Sequence, residues 1–164
     1  MVLRYLNQDE ILKVAINLEE EGYLFYTKAA ALSRDDSSIK VFSFLAEEEA
    51  QHLRFFQSLD LPIVAETGRG GEIDDEISLY LRNLVDSGIF TFDPTPENQR
   101  FSSSLSILEF AIEVEKNSIL FYSGILDLNN DPKVKESLQT IIREEKKHLI
   151  RVLSLLQKER EKRN

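Results

Sequence analysis

Every histidine of the chain sits in one of two tetrads, Glu49-Ala50-Gln51-His52 and, 96 residues later, Glu145-Lys146-Lys147-His148. A glutamate and a histidine three positions apart on a helix occupy one face, so a carboxylate oxygen and an imidazole nitrogen can reach the same metal ion. A single Glu-x-x-His is most often a solvated helix face. Two copies at one offset raise the question of which other residues complete a metal centre.

The chain carries its own test, because its two halves form an internal repeat with a constant offset and no gap across either pair of helices. Six of the twelve positions in residues 15–26 are identical in residues 111–122, and the repeat also carries Asp35 onto Asp131, His52 onto His148 and Leu53 onto Leu149. A two-fold-related site should use residues present in both copies. In the first helix of each half, Glu20 meets Lys116, Glu21 meets Asn117 and Glu113 meets Asn17, whereas Glu19 meets Glu115. In the second helix both Glu48/Glu144 and Glu49/Glu145 persist, so the apolar seam must decide between them. Phe42, Leu45, Glu49, His52, Phe56 and Leu59 keep a heptad spacing, as do Leu138, Ile141, Glu145, His148, Val152 and Leu155. The register through Glu144 would turn Ser137 and Arg151 inward, so Glu49 and Glu145 are the core-facing pair.

The candidate ligands are therefore Glu19, Glu49, His52, Glu115, Glu145 and His148. Four buried carboxylates without compensation would be prohibitive, whereas two divalent cations balance them with neutral imidazoles. This donor set predicts a dinuclear metal site. Oxygen and imidazole donors without thiolate suit Fe(II), Mn(II) or Zn(II). Glu20, Glu21, Glu47, Glu48 and Glu144 read most simply as solvated or paired with nearby bases.

Four long helices must position these residues. The first opens with Asn7 and Glu10 as a capping pair and keeps Leu12, Ala15, Glu19, Gly22, Tyr26 and Ala29 on one seam. Polar residues 33–37 make a short turn into a second helix from about Ser38 to Leu59, with Pro62 beyond its end. Gly68, Gly70 and Gly71 mark a flexible break. A shorter helix is expected from Asp74 to Asp86, with Ile77, Leu81, Leu84 and Val85 inward and Gly88 ending it. Phe90, Phe92 and the Pro94-Thr95-Pro96 turn follow.

The third long helix starts near Ser103 or Ser104 and carries Leu108, Ala111, Glu115, Ser118, Tyr122 and Ile125 as the counterpart seam. Asn129-Asn130-Asp131-Pro132 then supplies a turn, an N-cap and a proline at the first position of the fourth helix. The charged residues 158–163 lack a core face, so that end is expected to fray. The sequence thus predicts an all-α, antiparallel four-helix bundle of two repeated helical hairpins joined by a long crossover containing a short helix. It forms a single domain over residues 1–164, with hairpin 1 at about 7–60, the crossover at about 61–103 and hairpin 2 at about 104–160. Phe25, Phe44, Phe55, Phe110 and Phe121 read as core or a subunit contact, the latter allowing a homodimer.

Composition narrows the function. A chain that is 42% hydrophobic and 30% charged suits a soluble globular domain, and no stretch approaches the ~20 apolar residues of a membrane span. The net charge of −9 argues against nucleic-acid binding. With no cysteine, thiolate metal sites, iron–sulfur centres and cysteine nucleophiles are excluded. The N-terminus lacks a signal-peptide layout, and a cytoplasmic location is the expectation.

The motifs resemble the rubrerythrin-type branch of the ferritin-like superfamily. The resemblance rests on residues 18–26 (LEEEGYLFY), residues 45–53 (LAEEEAQHL) and their repeats at 115–122 and 144–149. It implies a ferritin-like bundle holding two iron ions, with Glu49 and Glu145 bridging or capping the metals and Glu19, Glu115, His52 and His148 as further ligands. Tyr26 and Tyr122 match tyrosines beside the metals in that family, where a redox or proton-delivery role is implied; as buried tyrosines they also read as amphipathic core residues. The implied activity is reduction of hydrogen peroxide or dioxygen with oxidation of Fe(II). Rubrerythrins proper carry a cysteine-bound rubredoxin domain that supplies electrons. In a chain without cysteine, an external donor such as a rubredoxin or a reductase is required. Such proteins also tend to place a further carboxylate where this chain has Ser118. Bacterioferritins place a haem-binding methionine where this chain has Ala50 and Lys146, which implies no haem, and nothing after Leu156 resembles the fifth helix of a storage cage. The alternatives are a ferroxidase or iron-handling protein without a cage, and a metal-stabilised bundle acting in protein interaction.

Overall fold

The structure, a computed structural model, describes residues 8–59, 75–86 and 100–163. Among them five helices and no strand occur: α1 (Gln8–Leu32), α2 (Asp36–Gln57), α3 (Asp75–Asp86), α4 (Ser104–Leu128) and α5 (Pro132–Glu161). This is the expected four-helix bundle, with α3 as the short helix of the crossover. The expectations for Asn7, Pro62, Gly68, Gly70, Gly71, Asp74, Gly88, Phe90, Phe92 and residues 94–96 lie outside the described residues.

Helix starts follow from local chemistry. Asp35 caps α2 by accepting from the Ser38 amide at 2.9 Å. Its repeat counterpart Asp131 caps α5 by accepting from the amides of Lys133 at 2.8 Å and Val134 at 3.1 Å. Each satisfies amide donors that the first helical turn leaves free, and Pro132 needs no such acceptor. Ser103 does the same for α4 through the Ser106 amide at 3.1 Å. The charged end of α5 departs from the expected fraying and stays helical through Glu161. Lys162 and Arg163 close on Glu159 at 3.7 and 3.5 Å, cations placed where the carbonyl end of a helix favours them.

The core forms two apolar clusters, one on each side of the bundle's middle. The first joins the N-terminal half of α1 (Ile11, Ala15, Leu18), Phe56 of α2, the C-terminal half of α4 (Phe121, Tyr122, Ile125) and the N-terminal half of α5 (Val134, Leu138, Ile141). The second joins Tyr26 and Ala29 of α1, Phe42 and Leu45 of α2, Leu108 and Ala111 of α4, and Val152 and Leu155 of α5. Their composition makes α1 antiparallel to α4 and leaves α2 parallel to α4, so the crossover runs the length of the bundle. Each fully buried leucine or phenylalanine contributes about 1.5–3 kcal/mol of apolar burial, which fixes the depth and rotation of every helix.

Helix α3 docks on α4 through a close approach. Leu81 is fully buried, and a β-carbon added to Gly124 would lie 2.6 Å from its Cδ2. Glycine lets the short helix sit against α4 at that point.

Candidate metal centre

Between the two apolar clusters the heptad seams switch from hydrocarbon to acid and imidazole. Glu19 of α1, Glu49 and His52 of α2, Glu115 of α4, and Glu145 and His148 of α5 all converge there, and none exposes more than 4% of its surface. The structure brings together all six residues singled out from the repeat. They divide into two groups, Glu19, Glu49, His52 and Glu145, and Glu49, Glu115, Glu145 and His148; in each, one donor atom per residue lies within 4.8 Å of the others. Glu49 and Glu145 belong to both groups. The arrangement is that of two adjacent cation sites sharing two carboxylates.

The donor atoms face one another without satisfying one another. His52 Nδ1 lies 2.9 Å from Glu145 Oε1 and 3.4 Å from Glu19 Oε2, and His148 Nδ1 lies 3.3 to 3.5 Å from Glu49, Glu115 and Glu145. These approaches lack hydrogen-bond alignment: Glu19 Oε2, Glu49 Oε1, Glu115 Oε2, both Glu145 oxygens and both Nδ1 atoms are buried with no hydrogen-bond partner. Buried polar atoms are nearly always paired, so this cluster of lone pairs is what a bound cation would explain. The residues present fit two divalent ions with mixed oxygen and nitrogen donors.

Two tyrosines fix the outer glutamates crosswise between hairpins. Tyr26 of α1 donates its hydroxyl proton to Glu115 Oε1 of α4, and Tyr122 of α4 donates to Glu19 Oε1 of α1. Burial, and then the Glu115 charge for Tyr26 and the Glu19 charge for Tyr122, push both phenols well above their ordinary value. They stay protonated donors, which leaves the second oxygen of each glutamate turned to the centre.

One distal histidine nitrogen has a partner that the sequence reading missed. His52 Nε2 donates to Glu144 Oε2 at 3.0 Å across α2 and α5, while His148 Nε2, 3.9 Å from Glu48 Oε2, is buried without a hydrogen-bond partner. The pair read as solvated or bound to surface bases instead faces the histidines, with Glu144 holding His52 in the Nε2–H form that leaves Nδ1 for the centre. The repeat test retains Glu48 and Glu144 as a pair, but it does not say what they face.

Small residues shape the remaining space. A β-carbon on Gly22 would stand 3.2 Å from Glu49 Oε2, and Ser118 is the buried counterpart one repeat later. Without metal, charge in this cavity is balanced by protons. Burial, then the Glu145 charge, pushes Glu115 up to about 8, and burial followed by the Glu145 and Glu19 charges raises Glu49. Burial opposes protonation of His52, yet Glu145 and Glu19 push it up to about 12; Glu115, Glu145 and Glu49 outweigh burial in the same way at His148. For Glu145, burial is outweighed by the two histidines, and its value is lowered.

Residues 6–60, which contain α1 and α2, match the rubrerythrin family model. No curated protein matches the sequence. A crystal structure from Thermotoga maritima, of a protein described as a ferritin-like diiron-carboxylate protein, is 25% identical in sequence. The similarity covers 94% of this chain and 97% of that one, with a TM-score of 0.64. The family match lies on the first hairpin and the structural match spans both, and both agree with the carboxylate–histidine seams of a ferritin-like fold.

Proposed function

We propose that this protein is a non-haem di-iron oxidoreductase that reduces hydrogen peroxide or dioxygen, with electrons returned by an external donor. The observation that carries the reading is the pair of four-residue donor groups sharing Glu49 and Glu145, whose inward atoms are buried and unpartnered. Glu19 and His52 would hold one iron, Glu115 and His148 the other, and the shared glutamates both. Iron held there would supply the two electrons that, with two protons, reduce hydrogen peroxide to two waters.

The protein's part is to hold, orient and exclude. The flanking apolar clusters limit water, and the tyrosine hydroxyls keep a proton at Oε1 of Glu115 and of Glu19 while presenting Oε2 inward. That placement supports proton delivery or redox participation by Tyr26 and Tyr122. Iron over manganese or zinc is favoured by the likeness to a diiron-carboxylate protein. The external donor, a rubredoxin or reductase, returns two electrons per turnover. Among the described residues no helix is long and apolar enough to cross a membrane.

Metal analysis after anaerobic Fe(II) loading, followed by stopped-flow mixing with hydrogen peroxide or dioxygen, tests the reading. Two irons per chain with rapid oxidation that prefers peroxide is the expected result. Uptake of many irons per chain would instead indicate iron handling by a ferroxidase step. Fewer than about one metal per two chains, with no stability lost on chelation, would leave a bundle suited to protein interaction and overturn the metal centre.

A further inference from the structure

The two histidines are related by the repeat, but their surroundings are not. An open cleft of about 380 Å3 between α2 and α5 reaches His52 and is lined by Glu48, Phe55, Glu136, Thr140 and Glu144. It carries three carboxylates and no cation. Shifting each lining position by the repeat offset gives the surroundings of His148, where Lys40 replaces Glu136, Phe44 replaces Thr140 and Arg151 replaces Phe55. There the Phe44 ring meets His148 edge-on at 6.5 Å, and the Arg151 guanidinium lies over Phe44 at 4.6 Å. Glu48 and Glu144 exchange places under the offset, so the two faces differ in that Glu136 and Thr140 line the open cleft, whereas Phe44 under Arg151 stands against His148 and Lys40 holds the repeat position of Glu136.

We infer that divalent cations reach the buried centre through the Glu48/Glu136/Glu144 cleft beside His52, and that the Phe44–Arg151 stack closes the equivalent path beside His148. His52 is 95% buried, with Nδ1 lacking a hydrogen-bond partner among the donors of the centre, yet it also lines the cleft, so a single ring separates the solvent-filled space from the metal ligands. A cation must shed much of its water before it enters a buried site, and a carboxylate-lined approach concentrates it there and offsets part of that cost. On the opposite face the Arg151 guanidinium over Phe44, with Lys40 at the repeat position of Glu136, would repel it. Arg143 donates to Thr140 Oγ1 at 3.1 Å without lining the cleft. The proposal rests on the metal-centre reading and adds a direction of loading to it.

Cobalt(II), which accepts the same oxygen and imidazole donors and is visible by its d–d absorption, serves as the probe for full-length metal-free protein. Final stoichiometry is read at equilibrium and loading rate by stopped flow. Thr140→Phe, which copies the plug, and Glu136→Gln should each still bind two cobalt ions but load about tenfold more slowly. Added salt should slow the wild type and affect Glu136→Gln less, while Lys40→Gln on the opposite face should load within about twofold of wild type. If both cleft variants load at the wild-type rate, or Lys40→Gln changes loading as much as Glu136→Gln, the cleft is overturned and the metal centre stands. If the wild type binds fewer than about one cobalt per two chains, the metal-centre reading itself fails and the route with it. Should Thr140→Phe not fold, Glu136→Gln and the salt dependence decide the question alone.

Discussion

At the scale of single residues, consecutive glutamates with the same chemistry have different jobs because of where the helix turns them. Glu145 is fully buried and belongs to both donor groups, so Glu145→Ala should abolish binding of two metals. Glu144 accepts from the distal nitrogen of His52 and is not in either donor group, so Glu144→Ala should retain two metals with affinity reduced about 10–100-fold. Metal analysis with calorimetric titration checks both, and equal losses of stoichiometry would overturn the assigned register. Tyr122→Phe removes the donor to a buried Glu19 oxygen and should destabilise the metal-free protein by about 1–3 kcal/mol in urea unfolding; no change would mean that this hydrogen bond carries no weight. The inward glutamates were legible in the sequence because the apolar seam and the repeat select the same positions. The role of Glu48 and Glu144 was not, since their partners lie on the other hairpin and no periodicity along one helix reports a contact between helices.

At the scale of elements, the pattern that makes each helix also sets the room available to the site. Asp131 was legible as a cap, and the repeat carries it onto Asp35, which caps α2 in the same way. The docking of α3 by Leu81 against Gly124 was half visible: the leucine fits the inward stripe, but nothing in sequence says which glycine receives it. The helical end of α5 was misjudged because lack of a core face was weighed above pairing with Glu159. Gly22 gives an element-scale prediction. In an isolated helix Gly→Ala is favourable by about 1 kcal/mol, but here the new methyl group would meet Glu49 at 3.2 to 3.4 Å. Gly22→Ala should therefore melt no lower than wild type without metal, while its metal affinity falls about tenfold as Glu49 is displaced. Unchanged affinity in a titration would show that the gap beside Glu49 is dispensable.

At the scale of the whole molecule, packing is far more extensive within each hairpin than between them, and the six site residues come from all four long helices. Metal bound at the centre would link the hairpins, whereas in its absence protons must balance the carboxylates. His52, with a value near 12, and His148 bind protons more tightly folded than unfolded, as do Glu49 and Glu115, the last near 8. Groups raised in this way stabilise the fold below their unfolded values and lose that contribution as pH rises through the folded ones. The metal-free protein should therefore become less stable from pH 6 to pH 8. Glu145, lowered instead, gives a contribution lost only in acid and does not alter this window. Metal binding has the opposite slope, because each ion must displace protons from the histidines, and apparent affinity should gain about tenfold per pH unit for each proton released. At a metal concentration of roughly 100 times Kd, binding adds about 2.7 kcal/mol, a rise of about 5–10 °C in Tm for a chain of this size. Thermal unfolding with and without cobalt at pH 6 and pH 8 should show the gap between the two forms widening with pH, accompanied by proton release in weakly buffered solution. A constant gap without proton release would mean that the histidines are already neutral in the metal-free fold, and that something other than their protons balances the four carboxylates.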